Sequence, residues 1–246
     1  MKNTLDKQCL IKQPAGLGDI ILCQKIADTI IKRGYKIIWP VIDQYYDTLT
    51  KHMQKEGITY FKEKDDFPLK ELYNSPYKVP VTVKETQDLY LPLQMADQSF
   101  PGESALKAKF KILALDHNGW QDNFVFNRDV NKEDVLYYKE LELSDDEEYI
   151  LVNNLYGSPP HTVKKDIPLY TTSKIIEIEM MDGYSMFDWS KVIECATEIY
   201  CVDTSLFYLI DMLDLKAGKL EAYSKFNPPH FMHTEGLFKA SWNYNE

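Results

Sequence analysis

Residues Pro14–Ala27 read PAGLGDIILCQKIA and join a short apolar stretch to an amphipathic segment with the period of a helix. The residues before them, 8–13, have the composition of a buried strand, and Gly34 ends the helix. Strands predicted over 35–41 and 58–62 follow, separated by a helical segment that begins at Asp43. This alternation of strand and helix is typical of an α/β unit with a parallel sheet.

The alternation restarts after the acidic run 144–148, which marks a candidate domain edge. The later predicted strands cover 149–154, 174–180, 198–202 and 219–223, with helices over 187–196 and 206–215. Between the halves, prolines break residues 64–104 into short pieces, and a helix capped by Asn131 precedes the acidic run. We therefore predict an α/β fold of two Rossmann-like lobes, 1–145 and 146–246, whose parallel sheets face a cleft.

Composition excludes several classes of protein. The chain has 246 residues and a formal charge of −10, with no long basic block, so nucleic acid is not an expected partner. Its four cysteines form no CxxC pair and lie in apolar stretches, which indicates buried free thiols rather than a nucleophile. The start of the chain is polar and no apolar run approaches about 20 residues, so we expect a cytoplasmic protein without a transmembrane segment.

The turn Gly16-Leu17-Gly18-Asp19 lies between the first strand and the first helix, where α/β proteins place ligands. It lacks the third glycine of a dinucleotide fingerprint and the GK[ST] of a P-loop, which disfavours hydride transfer and ATP hydrolysis. A carboxylate at this position has two interpretations. Asp19 either caps the helix or serves as a general base.

The segment 14–27 resembles the opening of GT-B glycosyltransferases, closest to the lipopolysaccharide heptosyltransferase type. In that type the first strand ends in a Gly-Asp pair at a helix start. The resemblance implies that Asp19 is the catalytic base and that Gly16, Leu17 and Gly18 shape the acceptor-side loop. Weaker acceptor-side candidates are Lys107, Lys109, Lys111, His117, Trp120 and Arg128.

The segment 187–213, FDWSKVIECATEIYCVDTSLFYLIDML, resembles the heptosyltransferase segment in which a strand ends in Asp-Thr-Gly before a helix. The resemblance implies that Asp203, Thr204 and Ser205 hold the donor's diphosphate, since a helix N-terminus binds anions. Two residues depart from the pattern: Ser205 replaces the glycine, and Tyr208 stands where a histidine is usual. The alternative is a plain helix cap by Asp203 or Thr204.

The loop after strand 149–154 adds donor-side candidates, His161, Lys164 and Lys165. In similar enzymes this position supplies a Lys or Arg to the phosphates, although a solvated lysine pair is the alternative. Residues 180–183 follow another strand and are candidates for the nucleobase and ribose. No Asp-x-Asp metal motif stands at a strand end, and His230 and His233 lack a third ligand nearby, so no metal is expected.

These features together predict a glycosyltransferase that moves a sugar from a nucleoside-diphosphate sugar to a hydroxyl of a glycan or similar acceptor. Inversion is implied by the resemblance, and neither a metal nor another cofactor is expected. Two alternatives stay open: a GT-B-like transferase or epimerase with other chemistry, such as pyruvyl transfer, and a non-catalytic nucleotide-sugar or glycan-binding module. The sequence does not indicate the sugar, the nucleobase, the acceptor or the oligomeric state.

Overall fold

A computed structural model describes residues 7–100, 102–157, 161–169, 171–231 and 236–245. The chain divides into two compact units, Met1–Asn127 and Arg128–Glu246. The predicted lobe boundary at 145/146 falls inside the second unit. Ion pairs connect the segment after residue 127 to the rest of the second unit. Arg128 Nη1 lies 2.7 Å from Glu194 Oε1, and Lys191 Nζ lies 2.6 Å from Asp134 Oδ1.

The first unit contains one five-stranded sheet in the order β3-β2-β1-β5-β4. Its strands are β1 (Lys7–Ile11), β2 (Tyr35–Val41), β3 (Ile58–Lys62), β4 (Val81–Thr82) and β5 (Leu89–Leu91). Strands β3, β2, β1 and β5 are parallel, and β4 pairs with β5 antiparallel at the edge. The predicted bounds of β2 and β3 are confirmed, because each is an apolar run between clear turn residues.

The helices of the first unit are α1 (Leu17–Leu22), α2 (Gln24–Lys32), α3 (Asp43–His52), α4 (Lys70–Tyr73) and α5 (Ala105–Lys111). Two 3-10 helices cover Leu93–Ser99 and Trp120–Asn123. The single helix predicted after the glycine turn is two helices separated at Cys23. The apolar period continues across this break, with Ile20, Ile21, Ile26 and Ile30 all buried, and periodicity therefore does not detect it.

The second unit contains a fully parallel sheet in the order β12-β11-β10-β6-β9. Its strands are β6 (Tyr149–Asn153), β9 (Lys174–Glu177), β10 (Glu198–Val202), β11 (Lys219–Tyr223) and β12 (Asn243–Asn245), and β7 (Leu155–Tyr156) forms a hairpin with β8 (Val163–Lys164). All five residues of β6 are buried, as expected of a strand in a parallel sheet covered on both faces. The predicted α/β class with parallel sheets is confirmed.

The helices of the second unit are α6 (Val130–Val135), α7 (Ser190–Cys195) and α8 (Leu206–Ile210). A π-helical turn, Leu136–Glu140, extends α6, and a 3-10 turn, Met186–Trp189, precedes α7. Asp129, not the predicted Asn131, caps α6, and its side chain accepts from Lys132 N at 3.2 Å. Within the described ranges, every helix is too short or too polar to cross a bilayer.

The tail strand β12 completes one edge of the second sheet by pairing parallel to β11. The side-chain amides of Asn243 and Asn245 both donate to the carboxylate of Glu221 on β11, at 3.3 and 2.6 Å. Just before β12, the Trp242 ring stacks on Phe207 of α8 with centroids 4.0 Å apart. The tail therefore supports α8, the helix that opens at the Asp203–Ser205 turn.

Replacing Trp242 with Ala is expected to destabilise the chain by about 3–5 kcal/mol, because it removes a buried aromatic ring from the stack on Phe207. Urea unfolding measures the change in free energy. Trp242→Phe is the matched control, since it keeps a ring in contact with Phe207, and it should lose much less. An Ala variant that loses under about 1 kcal/mol would contradict a supporting role for the tail.

Candidate functional site

The turn between β1 and α1 depends on a left-handed residue at Gly16, where φ is +78°. The carbonyl of Gly16 accepts from Ile20 N at 2.9 Å and thereby starts the helix. A Cβ added at Gly16 would collide with Asp19 Oδ2. Leu17 and Gly18 form the first turn of α1, and the turn brings the Asp19 carboxylate back over the backbone of Gly16.

Asp19 forms an ion pair with a lysine that is distant in the sequence. Its Oδ1 lies 2.8 Å from the Nζ of Lys109 on α5. The Asp19 side chain is 29% exposed, whereas the Lys109 side chain is only 5% exposed. Solvent and a ligand can therefore reach the carboxylate, while the ammonium lies beneath the surface. The carboxylate at the helix start thus has a buried cation as its partner. Neither interpretation of Asp19, as a helix cap or as a general base, predicts this partner.

The other acceptor-side candidates lie in several environments. Trp120 is buried against Phe124, with ring centroids 6.2 Å apart, so its face is not exposed for a sugar ring. His117 packs near Phe110, and burial lowers its pKa. Arg128 belongs to the second unit, where its guanidinium pairs with Glu133 and Glu194. Lys109 is the member of the group that contacts Asp19.

The donor-side turn Asp203-Thr204-Ser205 connects β10 to α8. Asp203 is buried, and its N–H donates to Tyr223 O at 2.9 Å. Thr204 Oγ1 accepts from Leu206 N at 3.4 Å, but the residue at the N-cap of α8 is Ser205, whose side chain makes no cap hydrogen bond. Ser205 Oγ lies 3.5 Å from Met186 Sδ. The turn is therefore held by contacts on several sides.

Asn153, the last residue of β6, is a site residue that sequence reasoning missed. Its Nδ2 donates to Thr204 Oγ1 at 3.1 Å, and its side chain is buried. Because β6 and β10 are neighbours in the sheet, the two strand ends bring Asn153 and Thr204 together. The only signal in the sequence is a polar residue at the end of an otherwise apolar strand.

Tyr208 lies in the core of the second unit and not on its surface. It is 3% exposed, and its ring packs edge to face on Phe238 with centroids 5.1 Å apart. A ligand contact by this side chain would require the packing around it to open. The structure therefore places Tyr208 among the residues that support α8.

The loop from 157 to 165 contains the remaining donor-side candidates. Gly157 has φ +94°, and a Cβ there would lie 2.7 Å from His161 O, so the loop needs glycine to close. Residues 158–160 lie outside the described part of the chain. His161 is exposed, and Lys165 is held through its backbone, with Lys165 N donating to Asn154 O at 2.8 Å.

Lys164 has a carboxylate partner within its own unit. Its Nζ lies 2.6 Å from Glu177 Oε2, which also accepts from Asn154 Nδ2 at 3.2 Å. The bond from Lys164 is the main cause that lowers the pKa of Glu177. Two adjacent side chains at the end of β6 thus contact different parts of the candidate donor side. Asn153 contacts Thr204, and Asn154 contacts the Lys164–Glu177 pair.

The histidines and cysteines of the described ranges lie in several environments. Within them, no group of three His, Cys, Asp or Glu side chains is arranged to hold a metal ion. His230 stacks on Phe226 with centroids 4.2 Å apart, while His233 lies outside the described residues. The four cysteines are free; Cys195 is half-buried and the others are buried. Burial raises the pKa of both Cys23 and Cys201 to about 12.

Comparison with known proteins identifies the fold. No protein-family model matches the chain, and no curated protein matches it. A glycosyl transferase family 9 structure from Veillonella parvula DSM 2008 aligns over 97% of this chain and 86% of its own, at 10% identity and a TM-score of 0.52. The likeness confirms the predicted resemblance to GT-B glycosyltransferases at the level of the fold.

Two further solved structures align with lower scores. Escherichia coli heptosyltransferase WaaC with ADP-2-deoxy-2-fluoro heptose is 11% identical over 89% of both chains, with a TM-score of 0.43. The iron-containing dodecameric glycosyltransferase TibC from enterotoxigenic E. coli H10407 is 9% identical over 87% of this chain and 59% of its own, with a TM-score of 0.44.

Gly16→Ala is expected to destabilise the chain more than Gly34→Ala. Both glycines have φ near +80–90°, so each substitution strains the backbone by about 1–2 kcal/mol. Only the new Cβ at position 16 also displaces Asp19, since nothing lies within 4 Å of position 34. Urea unfolding of the two variants measures the difference, and equal losses would show that Asp19 does not lie over the turn.

The native thiols are expected to react poorly with Ellman's reagent near pH 8, because the thiolate is the reactive form and the raised pKa keeps Cys23 and Cys201 protonated. Reaction of the folded chain should be confined to the half-buried Cys195, and Cys195→Ser should abolish it. Denaturant should release all the thiols. Rapid labelling of Cys23 in the folded chain would contradict its burial.

Proposed function

We propose that this chain is a glycosyltransferase that moves a sugar from a nucleoside-diphosphate sugar to a hydroxyl of a glycan acceptor. The observation that carries the proposal is the half-exposed Asp19 carboxylate, held over the Gly16 turn at the start of the first helix. The fold shared with a family 9 glycosyl transferase supports it. The proposal includes no cofactor and no metal, so activity should persist in EDTA.

The first unit supplies the base in this scheme. Asp19 takes the proton from the acceptor hydroxyl as the oxygen attacks the anomeric carbon. The new C–O bond forms on one face of the sugar while the bond to the diphosphate breaks on the other. The nucleoside diphosphate leaves with the bonding electrons, and the configuration at the anomeric carbon inverts.

The second unit supplies the donor site. Thr204 and Ser205 offer hydroxyls, which suit phosphate oxygens, while the N–H groups of Leu206, Phe207 and Tyr208 already donate to oxygens of the turn. The buried Asp203 organises the turn beneath them. Lys164 and Lys165 offset charge on the leaving group, with the exposed His161 on the same loop as a further contact. Because Tyr208 is buried, we assign it to packing and not to the donor.

Two other functions fit the same fold, and product analysis separates them. A transferase or epimerase with another chemistry would not release nucleoside diphosphate in proportion to an acceptor glycan. A non-catalytic module would bind a nucleotide sugar and release nothing. Glycosyl transfer requires nucleoside diphosphate release that depends on both the donor and the acceptor. A screen of common nucleoside diphosphates and their sugars by thermal shift finds the donor first, because a ligand of the folded state raises its stability.

Asp19→Asn is expected to lower kcat by about 100-fold or more, since it removes the proton acceptor. Its donor-induced thermal shift should match that of the wild type, because the donor site lies in the other unit's residues. Asp43→Asn is the matched control: Asp43 also lies in a helix first turn and pairs with a lysine, Lys64. An Asp19→Asn variant with wild-type kcat would exclude Asp19 as the base.

A further inference from the structure

Lys109 differs from the other lysines of its helix in its surroundings. Its side chain is 5% exposed, and its Nζ lies 2.8 Å from Asp19 Oδ1 and 3.4 Å from Ala105 O. Lys111 on the same helix is 55% exposed and pairs with the surface carboxylate of Glu103 at 3.2 Å. Burying an ammonium is costly unless it is paired, so the Lys109 position requires a carboxylate partner.

The two oxygens of Asp19 have different surroundings. Oδ1 faces the Lys109 ammonium, and Oδ2 lies over the Cα of Gly16, where a Cβ would collide with it. The ion pair holds Oδ1, and the missing Cβ of Gly16 leaves the space that Oδ2 occupies. Oδ1 is occupied by a donor, so Oδ2 is the oxygen left to accept the proton of an incoming hydroxyl. The thiol of Cys23 interacts with both charges, and burial raises its pKa to about 12.

We propose that Lys109 is a positioning residue for the reaction: it holds Asp19 by Oδ1 so that Oδ2 faces the acceptor hydroxyl. The inference rests on the proposed function, because it assigns a role in the same site. Lys109 touches neither substrate and acts only through Asp19. Its contribution is orientation, and a misplaced base of this kind loses about 100-fold in rate.

The test compares Lys109→Met with Lys64→Met, which removes an exposed lysine of the first unit from a surface ion pair. Lys109→Met should lower kcat by about 100-fold, while the KM for the donor and the donor-induced thermal shift stay within twofold of wild type. Lys64→Met should leave both constants unchanged, since its pair with Asp43 lies on the surface. A folded Lys109→Met with wild-type kcat would overturn the inference.

Lys109→Arg serves as the second variant, and it tests the positioning role of Lys109 if Lys109→Met does not fold. Arginine keeps the cation, but its planar fork cannot reproduce the single contact from Nζ to Oδ1. Its kcat should therefore fall by about 10-fold and lie between those of the wild type and the Met variant. Wild-type kcat in Lys109→Arg, when that variant is the one available, equally overturns the inference.

A stability cycle gives a readout that does not depend on activity. Asp19→Asn and Lys109→Met should each lower the melting temperature, and the double variant should lose less than the sum of the two, because it leaves no unpaired buried charge. Strictly additive losses would show that the two side chains are not coupled, which overturns the inference. The double variant should be folded and inactive.

The outcomes separate the inference from the function that it serves. If Asp19→Asn is inactive and Lys109→Met is fully active, the proposed function stands and the positioning role fails. If the wild type transfers no sugar from any nucleoside-diphosphate sugar to any glycan tested, the proposed function fails, and the role of Lys109 in it fails too. In that case a coupled stability cycle identifies the pair as purely structural.

Discussion

The positive φ of Gly16 is the constraint on which the first unit's site depends. A left-handed residue turns the chain from β1 into α1 within a few residues, and the missing Cβ leaves space that Asp19 Oδ2 occupies. The same turn directs the other oxygen toward α5. A single backbone conformation thus sets the position of the helix and the direction of the carboxylate, and it places a carboxylate oxygen beside the buried ammonium of Lys109.

In the second unit, side chains at the end of a strand fix the positions of the candidate donor-side groups. Asn153 and Asn154 follow four buried apolar residues of β6, and they direct one amide to Thr204 and the other to Glu177. The hydroxyl at the start of α8 and the Lys164–Glu177 pair are therefore both held from the same strand end. Below the turn, Phe207 rests on Trp242, so the tail strand also contributes to the position of α8.

Local pattern was enough to predict the strands of four or more residues but not the contacts between distant residues. The bounds of β2, β3, β10 and β11 follow from apolar runs between turn residues. The strand β12 escaped prediction because Asn243-Tyr244-Asn245 is polar and resembles a loop; it forms only because β11 has a free edge. A helix boundary such as Cys23 is invisible to periodicity, since the apolar positions continue on both sides of it.

In the candidate site too, local pattern predicts the motifs but not the contacts that distant residues make with them. The Gly-Asp turn and the Asp-Thr-Ser turn are visible because each is a local motif between a strand and a helix. Lys109 lies ninety residues from Asp19, and nothing in its own segment distinguishes it from Lys107 or Lys111. The contact of Asn153 with Thr204 is equally hard to predict, because it forms only where β10 lies beside β6. Sequence reasoning found the residues that a motif marks, named Lys109 only as one of several acceptor-side candidates, and missed Asn153.

Charge imposes a further condition on the proposed reaction. The chain has a formal charge of −10, so a diphosphate approaches a surface that on average repels it. Lys164 is already paired with Glu177 at the surface of the second unit, so part of its charge is offset before a donor binds. Under the proposed function, the hydroxyls of Thr204 and Ser205 therefore provide much of the phosphate recognition. Such neutral donors act at short range, and they must be fixed in place beforehand, which is the structural contribution of Asn153 and of the stack beneath α8.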